Sequence, residues 1–576
     1  MERSSVVGSV VVACSIVAVV TSCVGDDPGS SSSSGGDGDG GGSSSGQASS
    51  SSGNASSSSG NSSSSSGGSS GTITDGGGDA DAGDPPPHIP TVGNFLKAAV
   101  AKGSAGFGGA VELSADGNTL VIGAPGDNSA GTGVLGTSEA DTSVASAGAV
   151  YVFTRSAGGA WAQVAYLKPS DAPTAYLTFG KSISLSADGY RLAVGAMGHD
   201  GTATNSGAVY VFSRNNASGS SWSQMGNAPL KPSNPMGEGQ FGSSVALSGD
   251  GQSLAVGAFA ESSADNTIST GAGGASNASY TFAGAVYVLR YNAGASKWEQ
   301  THYIKPSNNQ SGGRFGWSVA LSKNGSVLAV GGIGDASNAT GVSASASTDT
   351  SAGFSGAVFL FEKNTGNWTQ TTYFKASNAR ASARFGQSVS LSDDGTTLAV
   401  GSDFETSAAK GVNPTNPGPE DVSANNAGAA YVFKKGGAGW TQTYIKASNA
   451  RPGSTFGRSV RLSADGKALV VGSPSESSAA LGVNGTAPGQ DDTSLMYAGA
   501  AYTFALVNGA WGQTGYLKAS TVARANNVGI ASAITTSNGT FTVAVGASSN
   551  PSSDTGVDGT KNDTAAGGSG AVYTFK

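Results

Sequence analysis

"FGGAVELSADGNTLVIGAP", Phe107 to Pro125, decides the fold. Two short apolar runs flank Asp116-Gly117, and an Asx-Gly pair between such runs is a strong short-range signal for a β-hairpin. The stretch recurs along the chain. Phe-Gly pairs open units at Phe107, Phe179, Phe241, Phe315, Phe385 and Phe456, spaced 62 to 74 residues apart. A degenerate seventh unit begins near Val528, with "VAVGA" intact at Val543 to Ala547. Repetition on this scale marks an array, a solenoid or a propeller.

Each unit offers four strands. In the third, "SVALS" (Ser244 to Ser248) alternates small polar with branched apolar residues, as suits a strand beside a crowded axis. "LAVGA" (Leu254 to Ala258) and "GAVYVL" (Gly284 to Leu289) are near-continuous apolar runs, the pattern of strands covered on both faces. The stretch from Trp298 to Lys305 is amphipathic and suits an outer strand. These features predict an all-β fold, a seven-bladed β-propeller of four-stranded antiparallel blades. The ends support closure. The last unit stops after "GAVYTFK", one strand short, while "NFLKAA" (Asn94 to Ala99) matches "YIKAS" of the other units. The N-terminal strand is therefore expected to complete the last blade.

Phe-Gly at 107–108 followed by Gly-Ala-Pro at 123–125 resembles the FG-GAP repeat family, which includes the integrin α-type propeller and many bacterial surface proteins. The resemblance covers 93–576, with the Pro of Gly-Ala-Pro kept only at Pro125 and Pro474. It implies a seven-bladed propeller whose loops bind partners, often with calcium.

Composition sets the surroundings. Gly accounts for 91 of 576 residues, charged residues for 12%, and the net charge is −8. Without a basic stripe, nucleic acid is not an expected partner. Residues 1–23 read as an export signal, an apolar run from Val6 to Val20 ending in "VTSC". That ending resembles the bacterial lipoprotein lipobox, by which Cys23 would carry a lipid and tie the chain to the cell envelope through that anchor alone. Val24 after the Cys, by resemblance to enterobacterial lipoproteins, permits the outer membrane, and a surface-exposed position is expected. Cys14 and Cys23 are the two cysteines, so the mature chain is expected to hold no disulfide. Residues 24–92, almost wholly Ser, Gly, Asp and Asn, are too polar to offset their ordering entropy and are expected to form a disordered linker. As a coil it spans about 45 Å. The organisation is signal peptide 1–23, linker 24–92 and propeller 93–576.

Integrin-type repeats place several carboxylates before Asp-Gly in the first hairpin. Here Asp116-Gly117, Asp188-Gly189, Asp250-Gly251, Asn324-Gly325, Asp394-Gly395, Asp465-Gly466 and Asn538-Gly539 follow mostly Ser and Ala, and only Asp393 adds a second acid. Calcium needs six to eight oxygens at one point, so these pairs read as turns. The loop between the second and third strands carries more chemistry. It is 22 to 25 residues long in six units and ten in the second. One acid recurs four residues after the second-strand Gly, at Asp127, Glu261, Asp335, Glu405 and Glu476, with His199 and Asn550 as exceptions. Another recurs seven before the Gly of the third strand, at Asp141, Asp200, Asp349, Asp421, Asp492 and Asp563, with Asn277 as the exception. Either the two acids of a loop share a cation such as calcium, or the second folds back on its own backbone as a cap. The recurring Lys97, Lys168, Lys231, Lys305, Lys375, Lys446 and Lys518 are expected on the outermost strand, guarding an exposed edge. The tryptophans at 161, 222, 298, 368, 440 and 511 are expected to be packing anchors; Trp317 falls outside the pattern.

His88, His199 and His302 share no catalytic or metal-ligand spacing. The sequence reading is therefore a non-enzymatic, monomeric, lipid-anchored surface protein that binds a surface protein or polysaccharide through its loops. The alternatives are a propeller-fold extracellular hydrolase or lyase, and a passive coat protein.

Overall fold

The computed structural model describes residues 89–576 except 136–139, 216–220, 227, 272, 274–276, 415–420, 486–488, 522, 538–539 and 560–562. The export signal, Cys23, nearly all of the linker and the Asn538-Gly539 turn lie outside the described residues. What is described is all-β: seven antiparallel sheets, four of them four-stranded and three five-stranded.

Blade 1 shows the pattern. Its strands run Ala110–Leu113, Thr119–Ala124, Ala149–Arg155 and Trp161–Leu167 from the axis outward. The first strands of the blades, Ala110–Leu113, Ile183–Leu185, Ser244–Leu247, Phe315–Leu321, Ser388–Leu391, Ser459–Leu462 and Val528–Ser537, each touch the next, and the last touches the first. The ring is closed. The clasp is as expected: Val92–Leu96 pairs antiparallel with Ala571–Phe575, placing Leu96 opposite Val572.

The core is divided into seven clusters, each between two neighbouring blades. Alternation in the second strand explains this. In blade 1, Leu120 and Ile122 face blade 7, while Val121 faces blade 2, and every residue of the strand is buried. A strand that serves two cores has no polar face, which is why these runs are continuously apolar.

The two halves of the repeat motif meet across blade junctions. Phe179 bridges Gly148 of the preceding blade, and the same parallel bridge recurs at six further junctions, ending with Phe107 to Gly570. Within its own blade the Phe ring packs edge-on against the third-strand Tyr, as in Phe179–Tyr210 at 5.4 Å. A β-carbon on Gly148 would stand 2.1 Å from the Phe179 carbonyl oxygen, and one on Gly123 would stand 2.1 Å from the Gly180 carbonyl oxygen. Both glycines are needed for close backbone approach.

The Asx-Gly pairs are turns on the opposite face. Asp188 Oδ1 accepts from Ser186 Oγ at 2.5 Å and from the Tyr190 amide at 2.9 Å, and Gly189 takes φ 73°. The turns are also linked to one another. The Ala115 amide donates to the Ala187 carbonyl at 2.9 Å, Ala187 to Gly249 at 3.0 Å, Gly249 to Lys323 at 2.8 Å, Lys323 to Asp393 at 3.0 Å and Asp393 to Ala464 at 2.8 Å. A belt of backbone hydrogen bonds therefore ties one end of the propeller together.

Candidate functional site

The other end, where second strands finish and third strands start, is the loop face. The long loops do not simply cross it. They run out to the end of the fourth strand and pair there: Val134 with Leu167, Ile268 with Ile304, Val342 with Phe374, Val412 with Ile445 and Val483 with Leu517. Three of these contacts form the fifth strands of blades 1, 3 and 4.

What lies beneath corrects the reading of the recurring lysines. Lys168, Lys305, Lys375, Lys446 and Lys518 follow the fourth strand directly, but they are buried rather than edge-exposed. Each meets the first recurring acid of its blade: Lys168 to Asp127 at 3.6 Å, Lys305 to Glu261 at 2.8 Å, Lys375 to Asp335 at 3.1 Å, Lys446 to Glu405 at 2.5 Å and Lys518 to Glu476 at 2.8 Å. The ammonium groups of Lys168, Lys305 and Lys446 also donate to the carbonyl of the glycine that opens the third strand, at 2.6 to 2.7 Å. Burial lowers the pKa of Lys305, Lys375, Lys446 and Lys518, and the neighbouring carboxylate partly restores it. Burial opposes ionisation of Asp127, but Lys168 and Lys102 outweigh it and hold that carboxyl below its ordinary value. These pairs brace the loops against the strands.

The second recurring acids are loop caps. Asp141 accepts from the Ala130 amide at 2.6 Å, Asp349 from the Asn338 amide at 2.8 Å and Asp492 from the Ala479 amide at 2.7 Å. Asp421 accepts from Ser407 Oγ at 2.6 Å, Asp563 from the Ser553 amide at 2.8 Å and Asp200 from the Asn205 amide at 2.9 Å. The two acids of a loop thus have separate partners. Among the described residues no group of three or more His, Cys, Asp and Glu side chains gathers to hold a metal ion. Carboxylates already matched to an ammonium group do not fit a calcium shell.

Blade 2 departs from the rest. Its ten-residue loop stays short, and its charge is moved. His199 stands at the acid position and Asp171 at the position held by Asn234, Asn308, Asn378 and Asn449 in later blades. His199 Nε2 lies 2.8 Å from Asp171 Oδ2, and Lys231 Nζ lies 2.5 Å from His199 Nδ1. The Tyr210 hydroxyl donates to Asp171 Oδ1 at 2.6 Å. Partial burial alone would raise the Asp171 pKa, yet the bonds from His199 and Tyr210 bring it down to about 2. Lys231 is lowered by burial, offset in part by Asp171 and Asp200. This cluster is half-buried, whereas its counterparts are sealed.

A further feature escaped sequence reading. Tyr176, Tyr280, Phe282 and Tyr497 are 37 to 53% exposed, and all four lie in the junction segments of the loop face. Three of them are strained, with φ of 63° at Tyr176, 52° at Phe282 and 58° at Tyr497. At the place of Phe282 and Tyr497 other blades hold Ser146, Asn205, Phe354, Asn426 and Gly568, all with positive φ. The left-handed region costs a bulky residue about 1–2 kcal/mol. The rings held there leave about half of their surface open to water. Trp317 joins this face, packed on Phe259 with ring centres 4.8 Å apart. The repeated tryptophans Trp161, Trp222, Trp298 and Trp368 are buried, as packing anchors should be.

The FG-GAP repeat family model matches residues 161–212 and 368–433. No curated protein matches the chain. Among solved structures, the chain is similar to a periplasmic gluconolactonase of Pseudomonas aeruginosa at 14% identity and TM-score 0.41, covering 75% of this chain and 97% of that one. It is also similar to a putative 6-phosphogluconolactonase of Bacteroides uniformis at 10% identity and TM-score 0.39, covering 72% of this chain and 86% of that one. The expectation that the chain is not an enzyme is corrected: it does not stand beside two solved structures described as a gluconolactonase and a 6-phosphogluconolactonase. At this identity and TM-score the likeness transfers neither an activity nor a substrate.

Proposed function

The chain is an FG-GAP β-propeller, and from that premise we propose that it is a binding protein of the cell envelope, held by a lipid on Cys23 and presenting its loop face to a surface protein or polysaccharide. One observation carries the reading: the exposed aromatic rings of the described residues are gathered on one face, three of them on strained backbone. Aromatic rings kept about half exposed on strained backbone support a surface used for contact. The buried lysine–acid pairs support it by fixing the loops, so that little ordering entropy remains to be lost on binding.

The test is a triple variant of the full chain, Tyr176→Asn, Phe282→Asn and Tyr497→Asn, compared with the parent on immobilised envelope polysaccharides and surface proteins. Asn tolerates positive φ, so the fold should be retained or slightly stabilised. Loss of binding at an unchanged melting temperature supports the reading. Equal binding by parent and variant rejects it. The anchor is tested separately: a Cys23→Ser chain should lose metabolic palmitate label and leave the membrane fraction.

A further inference from the structure

Blade 4 lacks a hydroxyl that its neighbours use. The third strands carry Tyr151, Tyr210, Tyr287, Tyr431, Tyr502 and Tyr573, whereas blade 4 has Phe359 at that position. In blades 3, 5 and 6 the hydroxyl donates to an asparagine: Tyr287 to Asn234 Oδ1 at 2.6 Å, Tyr431 to Asn378 Oδ1 at 2.6 Å and Tyr502 to Asn449 Oδ1 at 2.5 Å. Asn308 is the corresponding residue of blade 4. Its amide orientation is fixed, because Nδ2 donates to Asp335 Oδ2 at 3.0 Å and to the Ser347 carbonyl at 2.7 Å. Asn308 Oδ1 is therefore a buried acceptor without a partner in the chain, on a residue only 8% exposed. The acid is shorter too: Asp335 stands where those blades hold Glu261, Glu405 and Glu476. With one hydroxyl and one methylene fewer, blade 4 has a cavity of about 10 Å³, lined among others by Ala283, Pro306, Asn308, Asn309, Asp335 and Phe359.

We propose that this cavity is a binding site for one water molecule, which takes the part of the tyrosine hydroxyl and donates to Asn308 Oδ1. A buried amide oxygen left without a donor is costly. A polar cavity of about 10–15 Å³ is large enough for a single water, provided that it finds at least two polar partners. Asn309 supplies the second. It lines the same cavity, its Oδ1 is also buried without a partner, and its Nδ2 is held by the Ser263 and Asp265 carbonyls at 2.9 and 2.6 Å. Each proton of the water thus has an acceptor. A metal cation fits less well. The Asp335 carboxylate is already matched by Lys375 at 3.1 Å, and two neutral amide oxygens fall short of a calcium shell. The site lies beneath the loop face, since Ala283 of its wall directly follows the exposed Phe282, whose carbonyl accepts from the Arg314 amide at 2.9 Å. The water completes the packing under the segment that carries that ring.

The experiment compares crystal structures of the full chain and of its Phe359→Tyr variant, at a resolution that shows ordered water. The parent is expected to show one density peak about 2.7–3.2 Å from Asn308 Oδ1. In the variant the tyrosine hydroxyl should occupy that place and the peak should be gone. The variant should also melt no lower than the parent, because the hydroxyl makes the same bond and releases the water. No peak beside Asn308 Oδ1 in the parent overturns the proposal. A peak ringed by six or more oxygens at about 2.3–2.6 Å overturns it in favour of a cation. A variant that keeps the peak, with its hydroxyl turned elsewhere, shows that the water does not stand in for tyrosine and likewise overturns it. Should the variant not fold, the map of the parent decides the question alone.

Discussion

Lys446 Nζ and Glu405 Oε2 meet at 2.5 Å with both side chains closed to water, 41 residues apart in the chain. Removing one member leaves the other charged and buried, which typically costs about 3–5 kcal/mol. Glu405→Ala should therefore lower unfolding free energy by that order in a urea titration. The double variant Glu405→Leu with Lys446→Met should recover most of the loss. If the single change costs under about 1 kcal/mol, the pair does not brace the loop.

The blade junctions predict a contrast between two glycines. Gly207 and Gly366 both have positive φ, but a β-carbon on Gly207 would stand 2.0 Å from the Phe241 carbonyl oxygen, whereas one on Gly366 would meet nothing within 4 Å. Gly366→Ala should cost only the backbone strain, about 1 kcal/mol. Gly207→Ala must also push neighbouring blades apart and should cost at least about 3 kcal/mol. Equal melting temperatures for the two variants would contradict the close approach.

In blade 2 the negative charge can be returned to its usual place. His199→Glu alone sets a second carboxylate beside Asp171 and should destabilise. Combined with Asp171→Asn it recreates the Glu405, Asn378 and Lys446 arrangement. The double variant should therefore be more stable than the sum of the singles by about 1–3 kcal/mol in a double-mutant cycle.

Lys97 gives a pH signature. It is buried in the closing blade, and its ammonium donates to Ser569 Oγ at 2.6 Å and to the Ser552 carbonyl at 2.8 Å. Burial lowers its pKa to about 8, with Asp554 and Asp563 pulling upward. Below that value it is charged in both states, and the folded state bears the cost. As pH rises from about 8 toward 10.5, the folded state loses the proton first and the unfolded state holds more protons, so stability rises. Relative to Lys97→Met, the parent should gain up to ~3 kcal/mol across that window. A flat difference between the two proteins would reject the shift.

Much of this was legible in one dimension. Seven Phe-Gly or equivalent starts gave the blades, the unmatched last unit gave the clasp, and Ser186-Ala187-Asp188-Gly189 read correctly as a turn. The recurring loop acids were also visible, but their partners were not. Lys446 looked like an edge residue because its strand is amphipathic and nothing in its neighbourhood is acidic. The exposed Phe282 and Tyr497 were hidden for the opposite reason: an aromatic residue in a repeat reads as core until its backbone angle and exposure are known.

The sequence by itself determined the number of blades, the order of strands and the closure, because alternation, turn residues and close-approach glycines act between near neighbours. Tertiary structure alone decided which charges are buried and which rings are open. Desolvation depends on what the chain brings over a group from far away. Here a long loop folds out to the fourth strand and closes over Lys446 and Glu405, whereas the ten-residue loop of blade 2 leaves Lys231 and His199 half open.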